Sequence, residues 1–148
     1  VQRRDTIDRM NQRQNRCFYT SYSEMNEVLN RFATEAEADD IWVSAEVQEL
    51  KENRSGKRLC QIVSMALDTA RRNCIETTPP RGRYIRIRCR DIQEQTLIKI
   101  QYSCEDRVIR EFDKSIIKMR DLIESSYGYL KIQLDSDVGC IKIAIPDA

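Results

Sequence analysis

Two runs of strict alternation constrain the fold most. RYIRIRCR (83–90) and TLIKIQYS (96–103) place an apolar residue at every second position. A period of two marks a strand with one buried face, because successive side chains leave a strand on opposite sides. Joined by DIQEQ (91–95), the two runs read as an antiparallel pair. A third run, IWVSAEV (41–47), turns Ile41, Val43, Ala45 and Val47 the same way. YLKIQLD, SDVG and CIKIAIP then read as a terminal hairpin stopped by proline. A sheet with one apolar face needs a cover, and two helical patterns supply it. Residues 57–74 carry Leu59, Ile62, Val63, Ala66, Leu67 and Ala70 on one face, until TTPPRG (77–82) breaks the pattern. Residues 113–126 carry Ile116, Ile117, Met119, Leu122 and Ile123. The order helix, strand, helix, strand, strand, helix, strand, strand implies an α/β (α+β) two-layer sandwich, its mostly antiparallel sheet covered on one face by helices.

Ahead of this domain, residues 5–36 read as helix. One stripe is Ile7, Met10 and Cys17; the other is Met25, Leu29, Phe32 and Ala36. They are out of phase around YTSYS (19–23), which suggests a break or kink. VQRRDTIDRMNQRQNR is so polar that it is marginal as a lone helix. It is expected to pack on something, such as a second copy of itself, or else to be a partly ordered terminus. The chain therefore divides into a helical segment, 1–36, for dimerisation or linkage, and a domain, 37–148.

Composition removes several functions. There is no histidine, so neither a Ser-His-Asp nor a Cys-His arrangement is available, nor a phosphohistidine within the chain. The six cysteines, Cys17, Cys60, Cys74, Cys89, Cys104 and Cys140, include no C-x-x-C pair. They read as small hydrophobes in a reducing cytoplasm, without zinc spacing. A net charge of +1 gives no electrostatic reason to favour nucleic acid or an anionic membrane. No apolar run is long enough to span a bilayer, so any membrane attachment is expected through segments outside this sequence. A start at Val1 suggests a piece of something longer.

NEVLNRFATEAEADDIWVSAEV, RLCQIVSMALDTARRNC, RYIRIRC, TLIKIQYSCED and SIIKMRDLIESSYGYLKIQL…CIKIAIP, spread over about residues 22–146, carry a resemblance. The chain resembles the GHKL ATPase fold, as in the catalytic half of bacterial sensor histidine kinases, specifically the peptide-receptor and quorum-sensing branch of Gram-positive bacteria. The resemblance implies a GHKL-type mixed sheet, and ATP with magnesium as the family's cofactors.

The sites where the family would hold nucleotide are altered. Two asparagines four residues apart are replaced by Met65 and Thr69. The second of these holds the family's magnesium, and neither replacement supplies a strong oxygen ligand. Where the family grips the adenine amino group stands Ser103 or a near neighbour. SCEDRVIREF, which follows, has no glycine. DKSI (113–116) occupies the place of a G-x-G-L phosphate box, so Asp113 and Ser115 stand where bare backbone should. With four features of one pocket gone, the expectation is a degenerate domain that binds no nucleotide.

Arg71 and Arg72 have two readings. One is an anion contact, or a salt bridge to Asp68 or Asp113 filling the vacated pocket; the simpler is a solvated helix C-terminus. Tyr127 and Tyr129 read as packing residues, and Asp135 and Asp137 as turn residues. Three functions remain open. The first is a regulatory interaction module of two-component signalling, cytoplasmic and partnered by a kinase, a response regulator or itself, with residues 5–36 as the contact. The second is a working ATP-binding kinase domain acting on a histidine outside this chain. The third is a structural α/β domain.

Overall fold

Isoleucine at alternate positions builds the sheet, because β-branched side chains pack well on a pleated surface. A computed structural model describes residues 23–48, 56–105 and 114–146. Its elements are α1 (Ser23–Ala38), β1 (Trp42–Gln48), α2 (Gly56–Thr77), β2 (Tyr84–Ile92), β3 (Gln95–Ser103), α3 (Lys114–Ser125), β4 (Tyr129–Asp135) and β5 (Val138–Pro146). The strand order is β1-β2-β3-β5-β4. Among the described strands, β1–β2 is the one parallel pair and the others are antiparallel.

The register lines up three apolar rows beneath the helices: Ala45–Ile87–Ile100–Ile141–Ile132, Val47–Cys89–Ile98–Ile143–Leu130 and Val43–Ile85–Tyr102–Gly139–Leu134. The central members are buried, and each full burial contributes roughly 1.5–3 kcal/mol. From the helical layer Leu59, Ile62, Val63, Ala66, Leu67, Ala70 and Cys74 of α2 close on them, joined by Met119 and Ile123 of α3. The expected sandwich and its covered face are thus present.

The stripe Met25, Leu29, Phe32, Ala36 is buried inside this same core, so it is unavailable to a second copy. The expected boundary after residue 36 falls within α1. The remainder of the expected dimer helix, residues 5–22, lies outside the described residues.

Two ends depart from their sequence expectations. DIQEQ is not a five-residue loop: the strands run on to Ile92 and back from Gln95, leaving Gln93 and Glu94 as a two-residue turn with φ of 49° and 63°. Both central φ angles are positive, the primed-turn geometry that matches strand twist, here without glycine. Tyr127 and Tyr129 do not pack: they are 89% and 57% exposed. Tyr127 sits at φ 59° just beyond α3, where its N–H meets the Glu124 carbonyl and the Gly128 N–H meets that of Ile123. This is a Schellman ending with tyrosine in the left-handed position that glycine prefers. Tyr127→Gly is therefore expected to stabilise the fold by about 1 kcal/mol, raising the melting temperature by roughly 2–4 °C in a calorimetric scan.

Candidate nucleotide site

Residues four apart on a helix share a face, so Met65, Thr69 and Asn73 form one line along α2. That line runs toward the end of β3. Met65 is half-buried and packs on the core. Thr69 is 2% exposed, and its hydroxyl donates to the Met65 carbonyl at 2.9 Å. The hydroxyl's proton is thus held within its own helix, and burial shields its oxygen. Asn73 Nδ2 donates to Tyr102 Oη over a long 3.5 Å.

Tyr102 dominates the end of the site. Its backbone pairs with Ile85 on one side and Gly139 on the other, and its ring lies directly over Gly139. A Cβ added to Gly139 would stand 2.2 Å from Tyr102 Cζ. Burial pushes the phenol up to about 12, with the Asn73 hydrogen bond acting the other way. Burial likewise pushes the Cys89 thiol to about 12, helped by Asp91. Both groups are neutral in the fold. Their stabilisation is complete below their unfolded values, near 10 and 9, and is lost as pH rises toward 12. A 295 nm titration is expected to show one of the six tyrosines ionising late, together with loss of the helical circular dichroism.

Ser103 is 4% exposed. Its oxygen accepts the Tyr84 N–H at 3.2 Å and shares a proton with Cys74 Sγ at 3.1 Å. Burial raises the Cys74 thiol despite that hydrogen bond and the one to the Tyr84 carbonyl. Ser103 therefore ties α2 to two strands. Cys104, next in the chain, is also buried, and its N–H donates to the Asp137 carbonyl.

The other expected residues do not converge here. Asp68 borders a shallow depression against α1, beside Arg31 and Glu35. Burial raises its carboxyl and Glu35 adds to this, with Arg71 and Arg72 opposing. Arg71 neither fills a pocket nor stands in solvent. Its Nε lies 2.6 Å from Asp39 Oδ2 and its Nη1 3.5 Å from Glu35 Oε2, fastening α2 to the end of α1. Arg72 is exposed on α2, and Ser115 is half-buried in the first turn of α3. Asp113 lies outside the described residues. Among the described residues no group of three or more His, Cys, Asp or Glu is placed to hold a metal.

Sequence reasoning missed Asn73, Cys74 and Tyr102. Two signals could have found them. The helical line through 65 and 69 continues to 73. Tyr102 shares the buried parity of Ile98 and Ile100, where a phenol needs a polar partner.

No family model matches the sequence, and no curated protein matches it. Solved structures do. The Acinetobacter baumannii histidine kinase AdeS superposes with a TM-score of 0.68 at 12% identity, covering 97% of this chain and 76% of its own. The mycobacterial sensor histidine kinase MprB gives 0.65 at 15%, covering 84% and 93%. The nucleotide-free catalytic domain of histidine kinase ThkA gives 0.64 at 14%, covering 84% and 90%. The fold is that of histidine kinase catalytic domains.

Proposed function

We propose that this chain is a kinase-fold domain that has stopped binding nucleotide and serves two-component signalling as a regulatory interaction module, of the Gram-positive peptide-receptor branch. The observation that carries this reading is Thr69. At the position where the resembled family places its magnesium ligand, the side chain is 2% exposed and hydrogen-bonded to its own helix. Mg²⁺ demands well-placed oxygens at about 2.1 Å, which neither this hydroxyl nor Met65 offers. Ser103, committed to Tyr84 and Cys74, supports the same reading at the adenine end. The structural neighbours support kinase ancestry through the fold. None of the five described cysteines is in a disulfide, which fits a reducing, cytoplasmic setting. The partner is a protein: a kinase, a response regulator or a second copy.

Calorimetric and thermal-shift titrations with ATP and ADP, with and without magnesium, test the reading. A ligand at 100 times its dissociation constant stabilises a fold by about 2.7 kcal/mol. No shift is expected up to millimolar nucleotide. A magnesium-dependent shift overturns the reading and restores a working kinase domain.

A further inference from the structure

The sheet face away from the three apolar rows has an organisation of its own. Across all five strands, the register aligns Glu46, Arg88, Lys99, Lys142 and Lys131 in one row. Arg88 Nε lies 3.5 Å from Glu46 Oε2. Beyond that pair come three successive like-charge neighbours: Arg88–Lys99, Lys99–Lys142 and Lys142–Lys131. Like charges directly opposite one another on a sheet destabilise it. Among the described residues, no carboxylate pairs with Lys99, Lys142 or Lys131. Arg86 and Arg90 extend the positive charge to either side on β2. A charge arrangement that weakens the fold, kept on a chain of net charge +1, calls for an anionic counterpart.

The shape narrows that counterpart. A groove of about 460 Å³ is lined by this row from Glu46 to Lys142, together with Arg90, Leu97, Ala144 and Tyr129, while Lys131 stands outside the lining. It draws residues from every strand, so it crosses about four interstrand spacings, roughly 19 Å. The row is open to solvent, with Arg88 67% and Glu46 59% exposed, so an extended chain can lie along the groove beside it. About six residues at ~3.3 Å each span the groove, with alternate side chains pointing at the cations. Among the described residues, Tyr129 is the one aromatic side chain in the groove lining, whereas a run of stacked bases needs several. Arginine forks beside lysines suit carboxylates, and the half-exposed Tyr129 offers an apolar edge.

We propose that this groove docks an extended acidic segment of a partner protein, rich in Asp and Glu. The site lies on the opposite side of the sheet from α2 and is independent of whether nucleotide binds there.

Fluorescence anisotropy with a labelled dodecapeptide alternating Glu and Ser tests it, alongside a twelve-nucleotide dT strand. The expected result is saturable peptide binding that weakens at least tenfold between 50 and 300 mM NaCl. Lys99→Gln/Lys142→Gln should weaken it at least tenfold more, with an unchanged or higher melting temperature because like-charge neighbours are removed. Lys131→Gln at the sheet edge gives a milder second reading, and Lys114→Gln/Lys118→Gln on α3 should leave binding unchanged. The proposal is overturned by absent binding, by equal losses from the α3 variant, or by tighter binding of the dT strand.

Discussion

Arg83→Met is expected to cost about 3 kcal/mol of unfolding free energy, roughly 6–12 °C in melting temperature. Arg83 stands just before β2, and its guanidinium donates to three backbone carbonyls. Nε reaches Thr78 O at 2.8 Å, Nη1 reaches Asp39 O at 2.9 Å and Nη2 reaches Ile75 O at 3.3 Å. Two of these belong to the last turn and exit of α2, and one to the exit of α1. Carbonyls at a helix C-terminus have no intrahelical donor and carry partial negative charge. One planar cation therefore satisfies the ends of two helices at once. Methionine keeps the apolar stem and leaves all three carbonyls without that donor. Arg83→Lys should recover less than half of the loss, because the three N–H bonds of an ammonium leave one compact nitrogen and cannot span carbonyls that three separate guanidinium nitrogens reach. Chemical denaturation of the three proteins checks this. Equal stability of the lysine variant and the parent would contradict the geometry.

The second large effect is expected at Gly139. A methyl group there meets the Tyr102 ring at 2.2–2.7 Å, and the two residues are directly paired across β3 and β5. Neither strand can retreat, since each is bonded on both sides. Gly139→Ala should cost about 3 kcal/mol, at the upper end for overpacking. The decisive comparison is the double-mutant cycle with Tyr102→Leu. In that background Gly139→Ala should cost less than about 1 kcal/mol, giving a coupling near 2 kcal/mol. Additive losses would mean that the glycine serves strand flexibility rather than the ring.

These two residues also mark how far the sequence could be read. The strands and the buried faces of α2 and α3 were legible because each is declared by a local period, as in Ile98–Ile100–Tyr102 or Leu59–Ile62–Val63–Ala66. The fate of Met65 and Thr69 was half legible. Their chemistry was evident, but the hydrogen bond that occupies Thr69 was not. What stayed hidden depends on contacts between distant positions. Arg83 finds carbonyls 5, 8 and 44 residues away. Arg71 finds Asp39 32 residues away. Gly139 looked like a turn residue until the register put it under Tyr102. The net charge of +1 concealed a sheet face that carries Arg88, Lys99, Lys142 and Lys131 in one line.

The lone parallel strand has a consequence for how the protein opens. β2–β3 and β4–β5 close through short local turns, whereas β1 borders one neighbour and joins it across the whole of α2. Loop closure penalises that pairing, so β1 is expected to zip late and to release early. Hydrogen exchange should show α1 and β1 losing protection together, ahead of the central strands. Arg71 and Arg83 then act as the latch of this amino-terminal arm, since both grip Asp39 at its hinge. A force or a binding event applied to the arm would be felt at those two arginines before it reached the rest of the sheet.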